Sequence, residues 1–342
     1  MKCPVCGEDC IREAQEIFDL LPSVFTRCHE CRFRILDKRL PLPGREFGRP
    51  CHCGRRFIDE VFAHLYVILV EEGIFSGNEP LREVGSPLIH PGFFMRTPPF
   101  LTPGSLVLLS SRTDESVARR MTDEVPEIRG VVKTGNFVPG LVDTDLSHPP
   151  RMHTLLAGCD LRASVYPTTA GPIVLYQQQS QIHIEFPRAF NPKIESVETR
   201  VAAMRPEVFV DACAGVGTLG LTAARMGVPR VILNDAYYAA AFWAAINLHV
   251  NSKLFRLEEV RIIVDYDTIA AVPVRMQQVK IAETRGDQDI SVYHGDHHHL
   301  ADMLAGKRVL AVLDLFEKSD KAASDGILSN WRSKVSGEAF IP

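Results

Sequence analysis

The chain has 342 residues, of which 46% are hydrophobic and 23% are charged, and its formal net charge is -4 at pH 7. This composition is ordinary for a globular protein that can bury a sizeable core and hold two or three domains. No apolar run reaches the roughly 18 residues that a membrane-spanning helix needs, and the first residues do not resemble a secretory signal. We therefore expect a cytoplasmic protein without a membrane partner.

Seven of the nine cysteines lie within the first 53 residues. This clustering is typical of metal ligands rather than of a disulfide framework spread over a secreted fold. Cys3-Pro-Val-Cys6 and Cys28-His-Glu-Cys31 share the C-x-x-C spacing, in which a tight turn points two thiolates at one ion. Two such pairs together make a tetrahedral four-thiolate zinc site.

Further thiols follow these two pairs. Cys51-His-Cys53 is a third, tighter pair, and Cys10 is a seventh thiol. They fit a second zinc site, a replacement of one pair in the first site, or an iron–sulfur cluster. Zn²⁺ is the metal that the spacing favours, in a closed structural site that folds a module too short to fold alone.

Residues 1–56 are thus predicted to form a zinc-ribbon-like module, and part of it is strongly basic. Residues 27–56 carry nine Arg or Lys residues against three acidic residues, a local charge of +6 that leaves -10 for the remainder. Such a patch suits the phosphate backbone of RNA. A basic face that is merely solvated is the alternative interpretation.

The middle of the chain is expected to contain two further units. Residues 57–103 begin with a periodic apolar stretch that indicates a helix and continue as a Pro/Gly-rich connector. Residues 104–190 are predicted to be a small α/β domain, with a strand at 106–110, a helix at 115–122 and β-rich structure over 155–186.

Residues 191–342 show an alternation of strands and helices that predicts a parallel, Rossmann-like sheet. An apolar strand ends at Asp211, a turn containing Gly215 and Gly217 follows, and a second apolar strand ends at Asp235. This layout is typical of the nucleoside-binding half of a doubly wound sheet. The acidic Asp211 before the turn favours a ligand with a cationic tail, such as S-adenosylmethionine, and Asp235 is placed to accept hydrogen bonds from two ribose hydroxyls.

The rest of this domain is expected to supply two more strands. Residues 253–288 look like an insertion, and a third strand is predicted to end at Asp296, whose carboxylate could bond an adenine amino group. A fourth strand is predicted to run to Phe316 and to present Asp314 to the transferred group. Only 26 residues follow Phe316, so the sequence predicts a methyltransferase sheet that is incomplete at its C-terminal end.

Phe190-Asn-Pro-Lys-Ile-Glu-Ser-Val-Glu-Thr-Arg200, running into the turn after Asp211, resembles the segment that leads into the catalytic domain of archaeal and eukaryotic tRNA guanine-N1 methyltransferases. The related wybutosine-pathway aminocarboxypropyl transferases share this pattern. The stretches 130–140 and 155–158 also resemble the small α/β domain that precedes the catalytic domain in that family.

The resemblance implies a set of residues that bind S-adenosylmethionine. They are Asp211, Ala214, Gly215, Gly217, Asp235 and Asp296. On the acceptor side, Asp314 is a candidate general base, and Glu198 and Arg200 are candidates for the lining of the acceptor pocket. The chain departs from the family where Val197 and Glu198 stand in place of Glu-Arg, and where Asp314-Leu-Phe replaces Asn-x-Pro.

These observations favour an S-adenosylmethionine-dependent methyltransferase that modifies tRNA, with the basic zinc module helping to hold the RNA. One alternative is a protein methyltransferase that uses the zinc module as an adaptor. Another is a catalytically inactive, zinc-containing RNA-binding or scaffold protein that retains the cofactor fold. The oligomeric state is left open by the sequence.

Overall fold

The computed structural model describes residues 1–141, 146–304, 308–315 and 321–342. The helices are Ala14–Leu20 (α1), Ile58–Glu71 (α2), Glu115–Glu124 (α3), Pro192–Met204 (α4), Thr218–Arg225 (α5), Tyr238–Val250 (α6), Tyr266–Ala270 (α7), His297–Met303 (α8) and Lys321–Lys334 (α9). Short 3₁₀ helices are Leu81–Val84 and Ser252–Phe255. Within the described ranges, no helix combines the length and the apolar character needed to cross a membrane.

The strands belong to one large sheet and three smaller ones. Their bounds are Arg56–Phe57 (β1), Ser86–Ile89 (β2), Phe100–Leu101 (β3), Leu106–Ser110 (β4), Ile128–Lys133 (β5), Thr154–Gly158 (β6), Leu161–Tyr166 (β7), Ile173–Gln178 (β8), Val208–Asp211 (β9), Arg230–Asp235 (β10), Leu257–Ile262 (β11), Val279–Gly286 (β12), Asp289–His294 (β13), Arg308–Val312 (β14) and Ser336–Phe340 (β15).

The large sheet has the order β11-β12-β13-β10-β9-β14-β15. Strands β13, β10, β9, β14 and β15 are parallel to one another and are the third, second, first, fourth and fifth of this group along the chain. This is the order of a doubly wound sheet, in which ligands bind beyond the carboxyl ends of the strands, where the order reverses. The predicted Rossmann-like fold is confirmed, and the reversal lies between β9 and β14.

Both edges of this sheet differ from the expectation. The apparent insertion at 253–288 forms β11 and β12, which add two antiparallel strands beside β13. At the other edge, α9 and β15 supply one more helix and a fifth parallel strand after the predicted fourth one. Strand β15 contains Gly337 and Glu338 and has no apolar run, because an edge strand is not buried on all sides. Phe316, the predicted end of the fourth strand, lies outside the described residues.

The first half of the chain is built on a four-stranded sheet of order β2-β4-β5-β6, with β4 and β5 parallel and joined through α3. The predicted strand at 106–110 and the predicted helix beginning at residue 115 are both present. Strand β2 lies in the stretch that the sequence analysis treated as a connector. It contains Pro87 and lies at the sheet edge, where a missing N–H donor is tolerated.

One predicted β segment is not a strand. Residues 182–186 alternate apolar and polar side chains, yet they form an irregular stretch. Its carbonyl groups are bonded by two buried side chains instead of a neighbouring strand. Arg162 Nη1 donates to the Glu185 carbonyl at 3.1 Å, and Gln177 Nε2 donates to the His183 carbonyl. The alternation was therefore misleading, because side chains and not a strand bond these carbonyl groups.

The hairpin β7–β8 is joined to the large sheet through Asn247 of α6 and Asn251, the residue that follows this helix. Asn247 accepts from the Tyr176 N–H at 2.6 Å and donates to the Tyr176 carbonyl at 3.0 Å. Asn251 pairs with the Val174 N–H and carbonyl in the same way, at 2.9 and 2.6 Å. Asn247 and Asn251 are four positions apart, a rise of about 6.0 Å along a helix, and Val174 and Tyr176 are two positions apart, about 6.6 Å along a strand. The spacing of the two carboxamides therefore matches that of the strand residues they bond. They replace a neighbouring strand for β8.

Replacing Asn247 by alanine should lower the free energy of unfolding by about 2 kcal/mol, because two buried polar groups of Tyr176 lose their partner. Chemical denaturation of the purified variant measures this difference. Asn330→Ala, at an exposed position on α9, is the matched control and should change the stability by less than about 0.5 kcal/mol. Equal stability of the two variants would contradict the role given to Asn247.

Candidate active site and candidate metal centres

The turn between β9 and α5 depends on two glycines. Gly215 and Gly217 have φ values of 54° and 93°, in the left-handed region that side chains disfavour. A Cβ on Gly217 would also lie 2.9 Å from Leu233 Cδ2 on β10. Glycine is therefore needed both for the turn and for the close approach of α5 to the sheet.

A cavity of about 550 Å³ opens beside this turn, within the size range of pockets that hold small ligands. Its walls come from the turn, from residues at or after the carboxyl ends of β9, β10 and β14, from the start of α4 and from residues 138–141. The sequence-predicted site residues that line it are Asp211, Ala214, Gly215, Asp235 and Asp314. The cavity thus lies at the reversal of the strand order.

Asp211 is fully buried at the end of β9. Its Oδ2 accepts the Gly220 N–H at 2.8 Å, whereas Oδ1 has no hydrogen-bond partner among the described residues. Burial raises the pKa of Asp211 to about 8; the Gly220 N–H opposes this shift, and the carboxylates of Asp314 and Asp235 add to it. A cationic ligand group in the cavity would remove this penalty on the ionised form.

Asp235 ends the neighbouring strand β10, and its side chain is also buried. Its Oδ2 accepts the Gly215 N–H at 2.8 Å, and its Oδ1 accepts the Tyr237 N–H at 2.9 Å. Burial raises the pKa of Asp235 to about 6 in spite of these two bonds. Each carboxylate oxygen can accept a second hydrogen bond, so ribose hydroxyls can still bind there.

A lysine and a carboxylate face each other on another wall of the cavity. Lys193, in the first turn of α4, donates from Nζ to Asp314 Oδ2 at 2.7 Å and lies 3.8 Å from Glu185 Oε1. Burial lowers the pKa of Lys193, but the two carboxylates outweigh this effect and raise it overall. The lysine is therefore a stable cation beside Asp314.

The other sequence-predicted site residues lie away from the cavity lining. Gly217 shapes the turn, and Asp296 caps α8 by accepting the His298 N–H at 3.1 Å. Glu198 accepts the backbone N–H of Thr169 at 2.6 Å.

Arg200 is likewise engaged outside the cavity. Its Nε pairs with Glu338 at 3.0 Å, and its guanidinium lies 4.1 Å from the centre of the Phe340 ring. Both partners belong to β15. Glu198 and Arg200 are therefore not brought together with Asp314.

Some cavity residues were not singled out from the sequence. Lys193 stands in the Asn-Pro-Lys stretch that carries the family resemblance, and residues 138–140 end another stretch quoted for it. Both signals were available in those motifs. Tyr237 also lines the cavity, and its hydroxyl is buried without a partner in the described part of the chain.

The thiols of Cys28, Cys31, Cys51 and Cys53 form one of two four-cysteine clusters. The Sγ–Sγ distances are 3.7 Å between Cys28 and Cys31, 3.6 Å between Cys28 and Cys51, and 3.5 Å between Cys31 and Cys53. Ligands of a tetrahedral Zn²⁺ with Zn–S bonds of about 2.3 Å are about 3.8 Å apart. The donor set and spacing therefore suit a closed zinc site.

The expected pairing of Cys3 and Cys6 with Cys28 and Cys31 was wrong. Cys51 and Cys53 take the place of the first pair, which is one of the alternatives that the spacing left open. The displaced pair lies in a second cluster with Cys10 and a cysteine far along the chain. Spacing within a pair is a local property, whereas the choice of partner pair depends on the tertiary fold.

The basic charge of residues 27–56 is partly neutralised within the protein. The cations in ion pairs are Arg34, Lys38, Arg39 and Arg56. The exposed arginines without an ion pair among the described residues are Arg27, Arg32, Arg45 and Arg49. The surface available to an anionic partner is therefore smaller than the sequence count suggests.

No protein-family profile and no curated protein matches the chain. Among solved structures, Trm1 from Pyrococcus horikoshii in complex with S-adenosyl-L-methionine has 19% identity and a TM-score of 0.31, covering 46% of this chain and 38% of that one. Trm5b from Pyrococcus abyssi has 14% identity and a TM-score of 0.37, covering 74% and 58% respectively.

TYW2 from P. horikoshii in complex with MeSAdo has 20% identity and a TM-score of 0.29, covering 56% of this chain and 60% of that one. The chain thus covers less than two thirds of the length of each of these three structures. At these values the likeness concerns the fold alone.

Proposed function

We propose that this chain is an S-adenosylmethionine-dependent methyltransferase that acts on RNA, with tRNA as the first substrate to test. The observation that carries the proposal is Asp211. It is a fully buried carboxylate on the cavity wall, with one oxygen that has no partner among the described residues. A buried carboxylate of this kind favours a cationic ligand group over a phosphate.

S-Adenosylmethionine fits this set of donors and acceptors. Its methionine part carries a cationic sulfonium and an amino group, which suit Asp211, and its ribose hydroxyls suit Asp235 on the adjacent strand. When bound, the cofactor supplies an electrophilic methyl carbon. The glycine turn allows the backbone to approach the ligand closely, and the cavity size is adequate.

The acceptor would lie on the side of Lys193 and Asp314. Asp314 would accept the proton that a nitrogen nucleophile loses during transfer, and Lys193 would hold this carboxylate in position through the 2.7 Å contact. Holding the acceptor in line with the methyl group is the other requirement, and the cavity walls supply it.

RNA as the acceptor is supported by the family resemblance and by one surface of the N-terminal region. Phe33 is 48% exposed, and the guanidinium of Arg27 lies 5.2 Å from its ring centre. Exposed aromatic rings with nearby arginines suit stacking with bases and pairing with phosphates. Arg32 extends the positive charge of this surface.

Incubation with methyl-labelled S-adenosylmethionine and, separately, bulk tRNA, other RNA and protein extract tests the function. Label in the tRNA fraction is the expected result. Label in protein alone would support a protein methyltransferase instead. Binding of the cofactor without label in any fraction would indicate a protein that has lost catalysis.

Asp235→Asn should weaken cofactor binding 10- to 100-fold, because hydrogen bonds to a charged acceptor contribute about 1.5–3 kcal/mol. Isothermal titration with S-adenosylmethionine and S-adenosylhomocysteine measures the effect. Asp289→Asn is the matched control. Asp289 begins β13, the neighbour of β10, and therefore lies at the amino ends of the strands, whereas Asp235 lies at their carboxyl ends. An unchanged affinity in Asp235→Asn would exclude Asp235 from the cofactor site.

Cofactor affinity should rise between pH 6 and pH 8 and level off above about pH 8. The cationic ligand favours ionised Asp211 and Asp235, whose pKa values are raised to about 8 and 6, so binding near pH 7 releases protons. For the same reason the ligand-free protein holds more protons than the unfolded chain, and its stability should fall as pH rises from about 4 to 8. Titration in buffers of different ionisation enthalpy measures the release; a flat pH dependence would contradict the role of Asp211.

A further inference from the structure

The second cysteine cluster joins the two ends of a long stretch of chain. Cys3, Cys6 and Cys10 precede α1 in the chain. Cys159 lies between β6 and β7, 156 positions after Cys3. The four sulfur atoms all lie within 4.8 Å of one another. From the sequence, Cys3 and Cys6 were expected to share an ion with other thiols, and no role was predicted for Cys159.

The sulfur spacing is that of metal ligands rather than of a disulfide. The Sγ–Sγ distance is 3.8 Å between Cys3 and Cys159 and 3.3 Å between Cys6 and Cys10. Sulfurs around a tetrahedral Zn²⁺ are about 3.8 Å apart, whereas a disulfide bond is about 2.05 Å long. The four thiols thus surround a common point at nearly the distance that one ion requires.

The backbone forms a tight turn at Cys3. The Gly7 N–H donates to the Cys3 carbonyl at 2.9 Å, and the Val5 N–H donates to Cys3 Sγ at 3.4 Å. Gly7 has a φ of 77°, the same value as Gly54, which follows Cys53 in the first cluster. A turn with an N–H directed at sulfur is the form that holds and stabilises a metal thiolate.

A half-buried cation beside the cluster is a second observation. The charge of Arg129 acts on both Cys10 and Cys159, and the Cys159 N–H donates to the Arg129 carbonyl at 2.8 Å. Arg129 Nη2 is buried and has no hydrogen-bond partner among the described residues. Its Nε donates to the Leu161 carbonyl at 2.9 Å. Four thiolates around Zn²⁺ carry a net charge of -2, so the occupied site would be an anionic neighbour of this guanidinium.

We propose that Cys3, Cys6, Cys10 and Cys159 bind a second structural Zn²⁺, distinct from the ion of the Cys28 cluster. Binding displaces the thiol protons to solvent and leaves four thiolate ligands, so no open position remains for catalysis. The ion fastens the N-terminal segment onto the β7–β8 hairpin. Ile11 and Ile17 already pack in the same hydrophobic core as that hairpin.

Metal analysis and native mass spectrometry of the full chain, expressed with zinc, test this site. The wild-type chain should contain two Zn²⁺ ions. Cys159→Ser should contain one, and Cys213→Ser, which changes a cysteine outside both clusters, should retain two. One ion in the wild-type chain, or two in Cys159→Ser, would overturn the proposal.

Further measurements keep the test valid if Cys159→Ser does not fold. Cys6→Ser changes a half-buried ligand of the same cluster and should also reduce the content to one ion. In the wild-type chain, alkylation of Cys3, Cys6, Cys10 and Cys159 should become fast only after a chelator is added. An intact mass measured on the denatured, metal-free chain that still lacks thiol hydrogens would instead indicate disulfides and would sink the idea.

Discussion

Replacing Asp314 by asparagine is expected to lower the rate constant for methyl transfer 10²- to 10⁴-fold, the usual contribution of a positioned general base. The carboxamide keeps the shape of the carboxylate but cannot take up a proton at neutral pH. The contact with Lys193, 2.7 Å in the wild-type chain, should hold the side chain in place. Single-turnover kinetics with labelled cofactor measure the rate, and the cofactor Kd should change by no more than about threefold.

Lys193→Met provides a second measurement at the same pair. Loss of this 2.7 Å contact should leave the Asp314 side chain less well placed, so the rate constant for methyl transfer should fall. Asp325→Asn, at an exposed position on α9, is the control and should transfer at the wild-type rate. If Asp314→Asn also transfers at that rate, the acceptor proton leaves by another route and Asp314 is not the base.

The central strands of the large sheet were predictable because of their burial. Parallel strands covered by helices on both faces appear as short, continuous apolar runs, which is the pattern of β9, β10, β13 and β14. Strands β11 and β15 lie at the edges and include exposed residues. An edge strand has no need of such a run, so its sequence carries a weaker signal.

The site was predictable where the fold alone fixes the position. Asp211 and Asp235 end adjacent parallel strands, so their side chains must lie at the same edge of the sheet. The residues of α4 are different, because only its first turn reaches the cavity. Lys193 lies in that turn, whereas Glu198 and Arg200 lie further along the helix and bond other elements. Neither spacing nor composition specifies which turn of a helix faces a cavity.

Removing one ligand of the first cysteine cluster should unfold the N-terminal region selectively. Residues 21–55, all of them described, contain no helix or strand, and the small apolar cluster beside the thiols is built on Cys31, Phe57 and Phe100. A stretch of this length without regular structure needs another source of stability. Structural zinc contributes about 10–16 kcal/mol in zinc-finger peptides, which far exceeds what the small apolar cluster can supply.

Cys31→Ser should therefore abolish hydrogen-exchange protection over residues 21–55 while the large sheet stays protected. Mass-spectrometric exchange on the full chain measures both regions in one experiment. Cys213→Ser is the control for the loss of a thiol. Cys159→Ser removes a ligand of the second cluster, so it distinguishes the effects of the two clusters. Intact protection of residues 21–55 in Cys31→Ser would mean that packing, including that of Leu36 and Leu42 in the core that contains α2, and not a metal ion, holds this region together.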